Sequence, residues 1–131
     1  MYEQETSGVV VRAEPAFLPH ESDPEDGRFV WAYSIEIENR TREAVQLVSR
    51  HWRITDTLGV TQEVRGQGVV GKTPVIQPGE SFRYSSAAPL HAASGLMVGS
   101  YEMVRLDSGD RFTVAIPAFA LDSPYAVRLA N

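Results

Sequence analysis

The chain of 131 residues has the length of one domain and a formal net charge of -5, and residues 1–131 are expected to form a single domain. The absence of cysteine excludes disulfide bonds, thiolate zinc sites and cysteine nucleophiles, and it is compatible with a cytoplasmic location. The acidic balance argues against nucleic-acid binding, and the sequence indicates neither a signal peptide nor an apolar run of membrane-spanning length.

The first half of the chain contains segments with the composition of β-strands. Residues 8–18 are rich in β-branched side chains and form the first predicted strand, in which Pro15 favours an edge position or a bulge. A polar, acidic loop follows, and then apolar side chains occupy every odd position from Phe29 to Ile37, which predicts a half-buried antiparallel strand. The turn residues at 39–42 are expected to reverse the chain, so that residues 44–56 pair with this strand.

The strand predicted over residues 44–56 changes phase in its middle. Its apolar side chains occupy odd positions up to Leu47 and even positions from Trp52 onwards. A β-bulge between Ser49 and His51 would keep both halves facing the core. Because bulges often re-aim side chains near functional surfaces, this phase change draws attention to the charged residues beside it.

The second half alternates between short strand segments and turns. Residues 56–59 predict a hairpin turn, and residues 77–80 have the Pro-Gly order of a type II turn. The small-residue segment 87–95 is predicted to be a connection that includes a short helical turn. Further strands are predicted over residues 60–65, 81–85, 99–106, 111–116 and, as a candidate edge strand, 119–129. Seven to nine short strands without intervening helices indicate an antiparallel sandwich or barrel.

The segment Gly66–Thr73 matches two phosphate-binding motifs, G-x-G-x-x-G and G-x-x-x-x-G-K-[ST]. Both motifs require a loop that leaves a strand and opens a helix, because the helix N-terminus contacts the phosphates. Pro74 follows immediately, and the surrounding valines favour strands, so we expect extended chain over residues 69–76 rather than a P-loop. A glycine nest that binds an anion beside Arg65 and Lys72 remains an alternative.

The charged aromatic segment around Arg50 is the second candidate region. Arg50 and His51 are difficult to place in a core, and beside Arg65 they would form a small cationic patch. Trp52 keeps phase with apolar neighbours and is predicted to be a core anchor. Together with the glycine segment, the candidate binding surface consists of Arg50, His51, Trp52, Arg65, Gly66, Gly68, Gly71 and Lys72. The three histidines lack metal-ligand spacing and there is no nucleophile-elbow motif, so neither a metal site nor a catalytic residue is predicted.

Three ordered segments of the chain carry a family resemblance. They are VQLVSRHW at residues 45–52, QEVRGQGVVG at residues 62–71 and PVIQPGESFRY at residues 74–84. With the segments that continue to Met103, they resemble the bacterial ApaG family, also called CorD, over nearly the whole chain. The resemblance implies a fibronectin type III/immunoglobulin-like antiparallel β-sandwich of about seven to nine strands. It also implies a link to cobalt and magnesium resistance, and protein contacts like those attributed to the same domain in eukaryotic F-box and polymerase-interacting proteins.

Two functions follow from these observations. The first is a non-enzymatic interaction domain that needs no cofactor and binds an unidentified protein partner. Self-association into a homodimer is a further expectation, because an open sandwich leaves edge strands exposed. The alternative is a protein that binds a nucleotide, a polyphosphate or a divalent-metal phosphate through the Gly66–Gly71 loop.

Overall fold

The computed structural model describes residues 1–126, which form nine strands, and buried and exposed residues alternate along the longer ones, such as Phe29–Asn39 and Ser81–Leu90. The strands are β1 (Tyr2–Thr6), β2 (Val9–Phe17), β3 (Phe29–Asn39), β4 (Val45–Asp56), β5 (Thr61–Gln67), β6 (Val75–Ile76), β7 (Ser81–Leu90), β8 (Gly95–Arg105) and β9 (Arg111–Leu121). Two short 3-10 helices, Pro19–Glu21 and Pro24–Asp26, lie in the acidic loop between β2 and β3. Within the described residues, no helix is long and apolar enough to cross a lipid bilayer.

The strands form two antiparallel sheets that pack against each other. The first sheet has the order β1-β2-β3-β7, and the second has the order β5-β4-β8-β9. The short strand β6 pairs with β4 and continues the row begun by β5. The fibronectin type III/immunoglobulin-like sandwich expected from the resemblance is confirmed.

The core between the sheets is built from the inward-facing side of each strand. Trp31, Tyr101 and Phe119 are among the largest fully buried side chains. Trp52 is also buried, with its ring against those of Tyr33 and Phe119. The prediction that both tryptophans anchor the core is therefore confirmed. Their burial removes a large apolar area from water, which makes aromatic anchors of this kind major contributors to stability.

The predicted hairpin between β3 and β4 is wrong. β3 pairs with β2 and β7, whereas the chain after Asn39 crosses to the second sheet, where β4 pairs with β5, β6 and β8. Asn39 is fully buried, and its side-chain amide donates hydrogen bonds to Glu43 O at 2.8 Å and Ile76 O at 2.9 Å. Its Oδ1 accepts from the backbone N–H of Thr41 at 2.9 Å. Asn39 thus fixes an arch from one sheet to the other.

The bulge predicted in β4 is present but begins earlier than expected. The pairing of β4 with β8 shifts between Leu47 and Ser49, so Val48 is the additional residue. Leu47 and Trp52 are both buried, as the change of phase in the sequence requires. The bulge therefore keeps both halves of a long strand on the core.

The two predicted turns are confirmed. Asp56 Oδ1 accepts hydrogen bonds from the backbone N–H groups of Leu58 and Val60, which closes the turn between β4 and β5. In the second turn, the N–H of Glu80 donates to Gln77 O at 3.0 Å. Gly79 there has a φ of 81°, as the third residue of a type II turn requires.

Other strand boundaries differ from the sequence predictions. The segment 87–95 is not a helical connection, because β7 continues to Leu90 and buries Ala88 and Leu90 against the core. The candidate edge strand at 119–129 is extended only over residues 119–121, which are the end of β9, the last strand of the second sheet, and not a separate strand. Residues 127–129 lie outside the described part of the chain.

The N-terminal part contains a strand that the sequence did not indicate. β1 is polar and almost wholly exposed, and it pairs with β2 only as far as Ala13. Pro15 lies beyond the end of β1, so among the described residues β2 has no neighbouring strand on that side at this residue. A proline, which has no backbone N–H to donate, is tolerated there, and the predicted edge position is confirmed.

The two lateral sides of the sandwich differ. On one side β1 lies against the edge of β9, where Thr6 Oγ1 accepts from the N–H of Ala115 at 3.3 Å and the Tyr2 hydroxyl accepts from that of Ala120 at 3.4 Å. On the other side the sheets end at β5 and β7, which do not pair with each other. This second side positions the candidate site.

Candidate functional site

An opening between β5 and β7 exposes part of the interior of the sandwich, and we call it the edge cleft. It consists of two neighbouring cavities of about 270 and 210 Å³ that share Tyr33, Arg50 and Ser86 as lining residues. The first cavity extends to Val70 and Tyr84, and the second extends along β5 and β7. Among the described residues, no Asp, Glu or His lines either cavity.

One border of the edge cleft is the free edge of β7. Along β3, residues that hydrogen-bond to β7 alternate with residues that hydrogen-bond to β2. Asn39 shows the first kind, because its N–H donates to Glu80 O just before β7, and Val30 shows the second kind, because its C=O accepts from the N–H of Leu18 after β2. By the same alternation, Arg83, Ser85 and Ala87 direct their backbone N–H and C=O groups away from β3. Pro89 occupies the next such position and has no N–H to offer. β7 therefore presents a row of backbone groups that no other strand of the described residues pairs with.

The opposite border is the free edge of β5. The N–H of Gly68 donates to Val48 O, which places the even-numbered residues of β5 in hydrogen bonds to β4. Glu63 and Arg65 therefore direct their backbone groups outward. Val64 packs on the core and lines the cleft together with Gln62 and Gln67, so β5 supplies one apolar and two polar side chains to it.

Arg50 lies at the end of the edge cleft that is nearest the glycine segment. Its Nη1 donates hydrogen bonds to Gly68 O at 2.9 Å and to Gln67 O at 3.2 Å. The guanidinium lies over Gly66, where an added Cβ would come within 2.7 Å of Nη1. Arg50 thus caps the end of β5 and is held there by the absence of a side chain at position 66.

The glycine segment forms a tight turn rather than a phosphate-binding loop. The backbone N–H of Val69 donates to Lys72 O at 2.8 Å, and that of Lys72 donates to Val69 O at 2.9 Å. The two residues between them, Val70 and Gly71, have φ values of 45° and 77°, which is the pattern of a type I′ turn. Gly68 allows the close approach of the returning strand, since a Cβ there would lie 2.2 Å from Lys72 O.

This geometry corrects one expectation and confirms another. Residues 69–76 are not continuously extended, because the chain reverses at Val70 and Gly71 before β6 begins at Val75. No helix begins at Lys72, so the segment lacks the helix N-terminus on which a P-loop depends. The match to the phosphate motifs is a coincidence of turn glycines.

A pair of buried tyrosines lies behind Arg50. The hydroxyls of Tyr84 and Tyr101 are hydrogen-bonded to each other. Burial raises the pKa of both hydroxyls well above the ordinary value of 10.0, so both remain protonated at neutral pH. One hydroxyl hydrogen is used within the pair, which leaves the other free to donate.

The indole of Trp52 contributes a second free donor. Trp52 is 2% exposed and lines the edge cleft, yet its Nε1–H has no hydrogen-bond partner among the described residues. By contrast, the Nε1–H of Trp31 donates to Asp122 O at 2.7 Å. Because native proteins satisfy most buried polar groups, an orphan donor at a cavity wall calls for an explanation.

Two of the three residues of the predicted cationic patch, His51 and Arg65, lie on the outer face of the second sheet, where they are joined by Arg53 around a carboxylate. His51 Nε2, Arg53 Nε and Arg65 Nη2 each lie 3.8 Å from an oxygen of Glu63. Exposed pairs at this distance contribute little to stability, and the carboxylate offsets part of the positive charge. The patch is therefore a poor candidate for a strong anion site.

The structure divides the eight candidate residues between two places. Arg50, His51, Arg65 and Gly66 line a cavity of about 260 Å³ on the second sheet, beside the carboxylate of Glu102. His51 and Arg65 are on the outer face, Trp52 is in the core wall and not on an exposed surface, and Lys72 is exposed on the turn. Only Arg50, Trp52 and Gly71 line the edge cleft. Gly66 and Gly68 act through the backbone, by admitting Arg50 and the returning strand respectively.

The sequence analysis missed the tyrosines and Ser86. The signal for Tyr84 was available, because alternation in β7 places it on the inward face together with Phe82. The association of Tyr33, Tyr84 and Tyr101 was not available, since these residues lie on β3, β7 and β8 and meet only through sandwich packing. Within residues 1–126, no group of three or more His, Cys, Asp or Glu side chains is placed to hold a metal ion.

Comparison with known proteins identifies close relatives. The ApaG domain profile matches residues 19–105. The chain is 56% identical over 124 residues to Protein ApaG of Maricaulis maris, with 95% of each chain covered. It is 53% identical to Protein ApaG of Methylorubrum extorquens over the full length of both. Among solved structures, an ApaA protein from Bordetella pertussis superposes with a TM-score of 0.86 at 42% identity, covering 90% of this chain and 95% of the other.

Proposed function

The chain belongs to the ApaG domain family, and from that premise we propose that it is a non-catalytic binding domain. Its ligand is an extended segment of a partner protein, which adds as a strand to the edge cleft. The free edge of β7, with outward backbone groups at Arg83, Ser85 and Ala87, is the observation that carries this proposal.

Strand addition uses groups that the edge cleft already presents. An added strand would pair with the outward N–H and C=O groups of β7, which supply affinity without regard to the sequence of the ligand. Alternate side chains of that strand would point into the cavities beside Tyr33 and Arg50, which supply specificity. Pro89 would end the pairing, because it cannot donate.

The composition of the cleft supports binding rather than catalysis. Because no Asp, Glu or His of the described residues lines it, no side chain there can act as a general base at neutral pH. Burial raises the pKa of the Tyr84 and Tyr101 hydroxyls, and these hydroxyls and the guanidinium of Arg50 serve to donate hydrogen bonds.

The nucleotide or polyphosphate alternative has weaker support. The N–H groups of Gly68, Val69 and Lys72 are all bonded within the protein, so few remain to surround a phosphate. The side chain of Lys72 is exposed on the turn and does not line the edge cleft. The link to cobalt and magnesium resistance and the cytoplasmic location stay predictions.

The proposal is tested with a substitution that removes one outward N–H. Random peptides of strand length are selected on the immobilised domain, and their affinities are then measured for the wild type and for Ala87→Pro. Position 87 does not donate to β3, and Pro89 shows that this edge accommodates proline, so the fold is retained. The selected peptides are expected to bind Ala87→Pro about tenfold more weakly, the loss of roughly one hydrogen bond.

Ala87→Ser is the matched control, because it changes the same exposed side chain and keeps the N–H. It is expected to bind like the wild type. Peptides that bind Ala87→Pro and the wild type equally, or that perturb amide resonances away from β5 and β7, would overturn the proposal. Sedimentation tests whether a second copy of the chain can occupy the cleft by pairing with the edge of β7. A homodimer formed in this way would be lost in Ala87→Pro.

A further inference from the structure

We infer that the edge cleft contains a subsite for a single carboxylate, carried by an Asp or Glu side chain of the bound segment. This subsite is formed by Arg50, Tyr33, Ser86 and Trp52, and it names the chemistry of the ligand for the function proposed above, on which it rests.

The subsite is rich in hydrogen-bond donors. Arg50 has N–H groups beyond the Nη1 that bonds Gln67 and Gly68, and Tyr33 and Ser86 each carry a hydroxyl. The Tyr84 and Tyr101 pair has one hydroxyl hydrogen left to donate. Because the described lining residues include no carboxylate, a bound ligand would have to supply the carboxylate that accepts hydrogen bonds from these donors.

Trp52 shows that at least one of these donors is unused. Its indole N–H is buried in the wall of the cleft and has no hydrogen-bond partner within residues 1–126. The six-membered ring lies against Gly99 of β8, where an added Cβ would be 2.6 Å from Cε3. β8 and β5 flank β4 on opposite sides, so this part of the six-membered ring lies on the side of β4 away from β5.

The charge of the subsite matches one carboxylate better than a phosphate. Arg50 is the only basic residue among the described residues that line either cavity, and part of its guanidinium is already bonded to backbone oxygens. A phosphate near neutral pH carries between one and two charges and three acceptor oxygens, and such groups are normally met by several cations. A carboxylate carries one charge, and Arg binds it with favourable geometry.

Strand addition brings a carboxylate to this point. Successive side chains of a strand point to opposite faces, so every second side chain of a segment paired with β7 faces the interior of the sandwich. Ser86 and Tyr84 are the inward residues of β7 beside Arg50. An acidic side chain opposite them would reach the donors while the backbone remains in the sheet.

The test uses the indole signals of the two tryptophans as reporter and internal control. Blocked peptides Val-Thr-Glu-Thr-Val and Val-Thr-Gln-Thr-Val, sodium acetate and sodium phosphate are titrated into nitrogen-15-labelled protein at constant ionic strength. The Glu peptide is expected to shift the Trp52 Nε1–H signal saturably, with the Gln peptide about tenfold weaker. The Trp31 signal, whose N–H is bonded to Asp122, should stay unchanged.

Arg50→Gln should abolish the difference between the two peptides, whereas Arg65→Gln, on the outer face, should preserve it. An unchanged Trp31 signal in Arg50→Gln verifies that the core is intact. Equal affinity for the two peptides, with loss of both in Ala87→Pro, would overturn the subsite and leave the proposed function standing.

Acetate that shifts Trp52 when neither peptide binds would support the subsite and overturn strand addition. Phosphate that shifts Trp52 more strongly than acetate at equal concentration would overturn the choice of a carboxylate. No shift with any of the four probes would overturn both the subsite and the proposed function.

Discussion

The guanidinium of Arg50 occupies the space that a side chain at Gly66 would fill, with Nη1 2.7 Å from the position of a Cβ there. Gly66 has no positive φ, so its role is to leave room, whereas Gly68 and Gly71 are needed for their backbone conformation. The three glycines of the motif therefore serve two purposes within one short segment, and Gly68 in addition allows the close approach of Lys72 O.

Substitution of each glycine by alanine should separate these roles. In Gly68→Ala the new Cβ would lie 2.2 Å from Lys72 O, at a residue whose φ is 65°. Because both the clash and the backbone conformation are unfavourable, this variant should lower the free energy of unfolding by about 3 kcal/mol. Gly71→Ala has the positive φ but open space, and it should cost about 1 kcal/mol. Gly66→Ala should cost less than either, because the end of Arg50 can move. Urea denaturation measures all three, and a larger loss for Gly66→Ala than for Gly68→Ala would contradict this account.

Val70 is a β-branched residue with a φ of 45°, a conformation that such residues rarely adopt. Val70→Asn would create the Asn-Gly sequence favoured in type I′ turns, and it should raise the free energy of unfolding by about 1 kcal/mol. Val70→Ala is the control, because alanine keeps most of the strain. The side chain is 52% exposed, so little burial is lost in either variant. If the free energy of unfolding measured in urea is the same for Val70→Asn and the wild type, the backbone strain at Val70 is small.

The hydroxyls of Tyr84 and Tyr101 should be energetically coupled. Tyr84→Phe leaves the hydroxyl of Tyr101 buried without its partner, which should lower the free energy of unfolding by about 1 to 3 kcal/mol. The double variant with Tyr101→Phe removes both polar groups and should cost less than the sum of the two single changes. A double-mutant cycle in urea measures the coupling, and additive effects would argue against the hydrogen bond.

Acidification should destabilise the outer face of the first sheet. Arg83 and then Arg12 lower the pKa of Glu36 by hydrogen bonding, and Arg40 and then Arg12 lower that of Glu38. Because the folded pKa values lie below the ordinary value of 4.5, these groups stabilise the fold above that pH. Their contribution is lost as the pH falls through the folded values.

Urea denaturation of the wild type and of Glu36→Gln across the acid range measures this effect. The variant should be less stable at neutral pH and should lose less stability below about pH 4.5, where the unfolded carboxyls begin to protonate. High salt should reduce the difference, since these groups are partly exposed. Parallel curves for the two proteins would mean that Glu36 does not contribute to the acid response.

Much of the fold followed from local patterns in the sequence. The alternation from Phe29 to Ile37 and the phase change in β4 report side chains that must face the core, and both signals held. The pairing of β3 with β4 failed because turn residues indicate that a chain reverses, not which sheet it joins. Here the buried amide of Asn39 bonds Ile76 in the other sheet, a contact between residues far apart in sequence.

The site was less accessible to such reasoning than the fold. Neighbours on a strand, such as Arg50 and His51, point to opposite faces, so a dense cluster in the sequence became two separate environments. The edge cleft depends on which strands end each sheet, and that order is set by long-range pairing. A polar strand such as β1 gives no apolar signal, because none of its residues is fully buried.

The contact of Tyr2 and Thr6 with β9 has a mechanical consequence. The two sheets are joined at the margin formed by β1 and β9, the bound margin, and they are not paired at the margin formed by β5 and β7, the unbound margin. A small rotation about the bound margin moves the unbound margin by the greatest distance, because that margin is farthest from the axis. Because the contacts of Tyr2 and Thr6 lie at the bound margin, a change at either residue acts at the side of the sandwich farthest from the edge cleft.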